Sequence, residues 1–215
     1  MNISILGISI SQTDKVIHIK SESPLTTLSS AILGGGYNNT RHIINAYVDK
    51  NFQVDDPQAW LQDLANTINI NETFIGLLTA VKLHKVRVST LQAENLTVSA
   101  VITAGVGNAS NAGITPPFSY QLGTINMILL LDANLTHAAM LNAVITATEA
   151  KTAILKEKNI LTPDGDSATG TSTDTVTIAI TGKGKSQSYA GPVTTIGWLI
   201  ARAVRQSLNE SLSAE

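Results

Sequence analysis

Ala168-Thr-Gly-Thr-Ser-Thr-Asp174-Thr-Val-Thr-Ile-Ala-Ile-Thr-Gly182 decides the fold. In its second half Val176, Ile178 and Ile180 alternate with Thr175, Thr177 and Thr181, the period of two that marks a half-buried strand. Its first half is small and hydroxyl-rich, with Gly170 free to take a positive φ, so a polar loop is expected to harden into a core strand. Asp174 stands at the joint and shares the parity of the apolar side chains. Its carboxylate is therefore expected to point inward at the mouth of the strand. A carboxylate placed there needs hydrogen bonds or a chemical task. A strand-entry aspartate that bonds its own loop amides is the plainer reading.

Outward from this stretch, 215 residues with 43% hydrophobic side chains are enough for a sizeable core. Aromatics make up only 4%, so Ile, Val, Leu and Ala must fill it. A net charge of −2 and the lack of any Lys/Arg run argue against nucleic acid or an anionic membrane surface as partner. The chain has no cysteine, which removes disulfides, thiolate nucleophiles and thiolate metal sites together. Met1-Asn-Ile-Ser-Ile-Leu-Gly7 lacks the charge and apolar length of a signal peptide, and no stretch approaches a transmembrane helix. A soluble cytoplasmic protein is expected.

Apolar runs at Ile3–Ile10 and Val16–Ile19 flank the polar Ser11–Asp14 and suggest an opening hairpin. Three glycines, Gly34 to Gly36, imply a backbone that other residues cannot adopt, and such loops expose N–H groups to ligands. Arg41 to Tyr47 is read as a short helix, on which His42 and Asn45 share a face. Asp56-Pro57 has the form of a helix start, an acidic N-cap with proline in the first turn, followed by a stripe of Trp60, Leu61, Leu64, Ala65 and Ile68. Phe74 to Val81 fits either a buried strand or a helix. Val86–Leu91 and Leu96–Ala104 read as strands, and a loop of small polar residues follows through Asn108 to Gly113. Thr124 to Leu131 is apolar almost throughout, as in a central strand covered on both faces, with Asn126 as an amide that must find partners.

Asn134 is expected to cap a long helix over about 135–158, with a buried stripe of Leu141, Val144, Ile145, Thr148, Thr152 and Leu155. Glu149 and Lys151 border that stripe on opposite margins and are too far round the helix to pair. A last helix, over about 194–208 and capped by Thr194 or Thr195, carries Ile196, Leu199, Ile200, Ala203 and Val204 on one face, with Trp198 opposite. No linker or repeat interrupts the chain. The expected fold is a single α+β or mixed α/β domain over residues 1–215, with one or more mixed or antiparallel sheets covered by helices.

The four histidines are scattered, without HxH or HExxH spacing, so no resident metal is expected. No GxSxG elbow is present. What remains is a set of small-residue loops with hydroxyls and amides, plus Asp174 and Glu149. That chemistry suits a polar, amide-bearing small ligand, with a carboxylate to activate water and loop N–H groups to hold an oxyanion.

The ordered segments Ser29-Ser-Ala-Ile-Leu-Gly-Gly-Gly36, Gly76-Leu-Leu-Thr-Ala80, Thr103-Ala-Gly-Val-Gly-Asn108-Ala, Gly123-Thr-Ile-Asn126, Thr148-Glu-Ala-Lys151, Ala168 to Asp174 and Tyr189-Ala-Gly-Pro-Val-Thr-Thr195 resemble the adenosylcobinamide amidohydrolase family. The resemblance runs from about Ile5 to Val204. It departs from the family pattern at Tyr37, Ser172, Pro192 and Val193. The resemblance implies hydrolysis of the amide between a corrin ring and its aminopropanol arm, with the cobalt carried by the substrate and no protein-held cofactor. On that basis Asp174 is expected to be the general base, for water or for the Thr171 or Thr173 hydroxyl. Glu149 or Lys151 would protonate the leaving amine. Ser30, Gly34, Gly35, Gly36, His42, Asn45, Thr79, Asn108, Asn126, Gly170 and Thr194 are the expected substrate contacts. The partner is a small corrinoid, and a homo-oligomer is possible. A non-catalytic corrinoid-binding module and an amidase for an unrelated small amide are the alternatives.

Overall fold

The computed structural model describes residues 3–117 and 123–214. Its strands in chain order are β1 (Ile8–Gln12), β2 (Val16–Ser29), β3 (Gly36–Tyr47), β4 (Phe74–Thr79), β5 (Arg87–Ala93), β6 (Leu96–Ala104), β7 (Ala109–Ser110), β8 (Ile125–Asp132), β9 (Asn134–Leu135), β10 (Gly170–Thr171), β11 (Thr175–Ile180) and β12 (Ser186–Gln187). Three α-helices join them: α1 (Pro57–Thr67), α2 (His137–Glu157) and α3 (Thr195–Leu212).

One mixed eight-stranded sheet dominates, in the order β4-β3-β2-β11-β8-β6-β5 with β1 beside β2. The opening hairpin is present, but β2 runs far beyond it. The register slips between Lys20 and Leu25, at Pro24, where a proline removes a ladder donor. Before the slip β2 pairs with β1, and after it with β11. The quoted stretch is therefore the middle of the sheet: β11 runs antiparallel to β2 and parallel to β8.

The sheet curls so that its two halves share one inner core. Ile17, Ile43, Ile75 and Leu77 from one half pack with Val101, Ile128, Leu130 and Ala179 from the other. On the outside, α2 and α3 cover β6, β8 and β11, while α1 covers β3 and β4. Hence β8 is buried on both faces, as its nearly continuous apolar run predicts.

The structure corrects three expectations. Arg41–Tyr47 belongs to strand β3 and is not helical, so His42 and Asn45, three residues apart, face opposite sides of the sheet. Helix α2 is capped by Thr136, whose hydroxyl accepts from Ala139 N, and not by Asn134. Its buried residues are Ala139, Met140, Ala143, Thr146, Ala147, Ala150, Lys151, Ile154 and Leu155, so Leu155 lies inside as expected, whereas Leu141 and Ile145 are 57% and 54% exposed. Small side chains let the helix axis lie close to the sheet, and that proximity outweighs the area Leu141 and Ile145 would bury. Helix α3 presents the expected face, is capped by Thr194, and continues past Leu208 to Leu212.

Candidate active site

A cleft of about 910 Å³ opens where β4 ends and β8 and β11 begin. Its lining combines hydroxyls and a carboxylate, from Ser30, Thr79, Thr124, Thr173, Asp174 and Thr175, with apolar side chains, from Ile32, Val48, Leu77 and Leu78, and with the loop Phe52–Asp55. The volume lies at the upper end of the range usual for small-molecule sites, about 300–1,000 Å³.

Asp174 immediately precedes β11, and its parity directs it toward α2 together with Val176 and Ile178. There Lys151 Nζ donates to Oδ2 at 2.5 Å. Oδ2 also accepts from Thr171 N at 3.1 Å, and Oδ1 accepts from Ile125 N at 3.0 Å and from the Thr171 hydroxyl. The pair is nearly sealed, with the two side chains 8% and 12% exposed. Its tightness explains a glycine: a Cβ on Gly170 would stand 2.6 Å from Asp174 Oδ2 and 2.7 Å from Lys151 Nζ. Both expectations for Asp174 hold in part: it points inward, and it bonds its own loop amides.

Below the cleft floor lies an amide network. Asn126 Nδ2 donates to Asn45 Oδ1 and Leu78 O, both at 2.9 Å, and its Oδ1 accepts from Thr124 and Thr175 hydroxyls. Asn45 Nδ2 continues to Thr103 Oγ1 at 3.0 Å. Both N–H groups of the Asn126 amide are thus taken by protein, its oxygen accepts from Thr175 and shares the single Thr124 proton with Thr173 O, and it clamps β4, β3 and β8 beneath the cleft. Asn108 Nδ2 donates to Gly123 O at 2.8 Å and to Ser172 Oγ at 2.6 Å, tying the loop before β8 to the loop before β11.

Two cleft hydroxyls keep a proton to offer. Ser30 Oγ accepts from Val176 N at 3.0 Å and Thr79 Oγ1 accepts from Val81 N at 3.1 Å, and neither donates to another described residue. Thr173, by contrast, donates its proton to Gly123 O.

Of the sequence-predicted residues, Ser30, Thr79, Thr173 and Asp174 line the cleft; Lys151, Thr171, Gly170, Asn45, Asn108 and Asn126 support it from behind. The rest lie elsewhere. Glu149 is exposed, some 200° round α2 from Lys151. Gly34 and Gly36 do take positive φ, but the glycine turn packs on β4, where a Cβ at Gly34 would meet Phe74 O at 2.3 Å; the turn does not line the cleft. Thr194 caps α3. His42 stacks on His18, with Nδ1 and Nε2 2.9 Å apart. Burial, and then the neighbouring His42 and Lys20, lower the His18 pKa to about 4. Burial lowers His42 as well, against the pull of Glu72. Sequence reading missed Phe52, Gln53, Val54 and Asp55. The available signal was the doubled acid Asp55-Asp56, of which a helix cap needs only one.

Among the described residues no three acids or histidines cluster as metal ligands, and no helix is long and apolar enough to cross a membrane.

Curled sheet, threonine-lined cleft and buried carboxylate–ammonium pair together describe a one-domain α+β protein with a cleft of small-molecule size. A family model described as adenosylcobinamide amidohydrolase matches residues 4–215, and the chain belongs to that family. The adenosylcobinamide amidohydrolase of Methanosarcina mazei is 34% identical over 183 residues, 84% of this chain and 86% of that protein. Among solved structures, the PH0078 protein from Pyrococcus horikoshii OT3 aligns over 96% of this chain and 83% of its own, with 14% identity and a TM-score of 0.47. A β-aminopeptidase from Burkholderia sp. aligns over 95% and 81%, with 12% identity and a TM-score of 0.46.

Proposed function

We propose that this chain hydrolyses the amide between the corrin ring and the aminopropanol arm of adenosylcobinamide, giving adenosylcobyric acid and 1-amino-2-propanol. Family membership supports the reaction. The observation that carries the site assignment is the Lys151–Asp174–Thr171 cluster at the edge of a large cleft whose polar lining is mostly hydroxyls. A corrinoid is rimmed with amides and has a broad apolar flank, which suits a lining that mixes hydroxyls with apolar side chains. The cobalt enters as part of the substrate.

Asp174 accepts four hydrogen bonds, so its role is that of a fixed anion more than a free base. Through Oδ1 it polarises the Thr171 hydroxyl, and through Oδ2 it fixes the Lys151 ammonium. Lys151, held behind the cleft on Asp174, would supply a proton to the departing amine through that carboxylate, a role exposed Glu149 cannot fill from its side of the helix. The unshared protons of Ser30 and Thr79 are the donors for the oxyanion that forms as water or a hydroxyl adds to the carbonyl.

Incubation with adenosylcobinamide, followed by chromatography, tests this reading. Release of 1-amino-2-propanol is expected. Corrinoid retained without release would favour a binding module, and neither outcome would leave an amidase for another substrate. Asp174→Asn is expected to lower turnover by about 100-fold or more with corrinoid binding kept, the usual scale for losing a group that assists proton transfer. Near-normal turnover in that variant removes Asp174 from the mechanism.

A further inference from the structure

Two carboxylates line the cleft, and only one is neutralised. Asp174 is paired with Lys151, whereas Asp55, exposed on the loop before α1, makes no hydrogen bond or ion pair with any described residue. No lysine, arginine or histidine is among the lining residues.

The N-terminus of α1 borders the same cleft through Pro57 and would ordinarily attract an anion. Here it is closed. Proline at the first helical position has no N–H, and the next two N–H groups, of Gln58 and Ala59, are both taken by Asp56 Oδ1 at 2.9 and 3.0 Å. The neighbouring acids thus divide the work: Asp56 shuts the helix end, and Asp55 leaves its charge over the cleft.

Amide hydrolysis at neutral pH consumes a neutral group and, with one water, makes a carboxylate and an ammonium. We infer that Asp55 is a specificity-determining residue that favours the amide over the carboxylate made from it, so that the acid product leaves a cleft with nothing to hold its new charge. This rests on the amidohydrolase reading.

The test measures two constants: Kd for adenosylcobinamide, read by rapid mixing before hydrolysis proceeds, and Kd for adenosylcobyric acid, read at equilibrium. Wild type, Asp55→Asn and Asp55→Lys are compared at low and at high salt. The ratio of acid Kd to amide Kd is expected to fall about threefold in Asp55→Asn and about tenfold in Asp55→Lys, and the differences are expected to shrink with salt, as for partly screened charges. Asp55 lies on an exposed loop, so both variants are expected to fold, which a thermal melt verifies. An unchanged ratio in both variants overturns the inference. Wild type that binds the pair but releases no 1-amino-2-propanol overturns the reaction, whereas the ratio still reads Asp55.

Discussion

Two of the pairs of ionisable side chains set close together obey opposite logic. Lys151 and Asp174 are unlike charges, one brought by α2 and one by the entry to β11, with every lone pair of the carboxylate engaged. His18 and His42 sit on adjacent strands β2 and β3, 2.9 Å apart, and can share at most one proton comfortably. The first pair is stable because both members are charged; the second is stable because both are neutral. Only the first touches the cleft. Proximity of titratable groups alone therefore does not mark the site; a cavity beside them does.

The comparison breaks most visibly at Lys151. Lys151→Met leaves the Asp174 charge without its partner and is expected to cost about 3 kcal/mol in a urea titration, the scale for orphaning one member of a buried pair. Adding Asp174→Asn to it should restore much of that stability while turnover stays lost. A double variant no more stable than the single would show that the pair is not coupled. Next in size is Gly170→Ala. The added methyl must displace Lys151 Nζ or Asp174 Oδ2, so a loss of about 1–3 kcal/mol and about a tenfold drop in turnover are expected; wild-type turnover would mean that the pair tolerates displacement.

The smallest effect belongs to the histidines. Because the folded pKa of His18, about 4, lies below the ordinary 6.5, the unfolded chain takes up the proton first as pH falls. Stability is therefore lost between about pH 6.5 and about pH 4 and is intact above that window. His18→Gln should flatten this part of the pH–stability curve and leave turnover at pH 7 unchanged. Altered turnover there would tie the histidine corner to the cleft.

Much of this was legible from residues. Parity alone aimed Asp174 inward, and alternation or nearly continuous apolar runs located β6, β8 and β11. Strand β3 was misread because His42-Ile-Ile-Asn-Ala-Tyr47 is buried on both faces and lacks a period of two. Helix α2 was misread because its seam is alanine: the largest side chains, Leu141 and Ile145, drew the stripe to the wrong side, although it is the small ones that admit the sheet. That rotation also concealed Lys151, which belongs to the buried face and not to its margin. The loop Phe52–Asp55 has no periodicity to read, and its place on the cleft depends on the curl of the whole sheet.

Strand β11, formed by Thr175–Ile180, is nearly the last to be synthesised, yet it is inserted between two older strands, β2 and β8. Until it arrives, both neighbours expose an unpaired edge, and a nascent or shortened polypeptide ending before Asp174 has two open ladders in place of a finished floor. No half of this molecule can therefore be a lesser enzyme. A chain that stops before Asp174 lacks the carboxylate of the candidate site together with the strand that joins the two halves of the sheet.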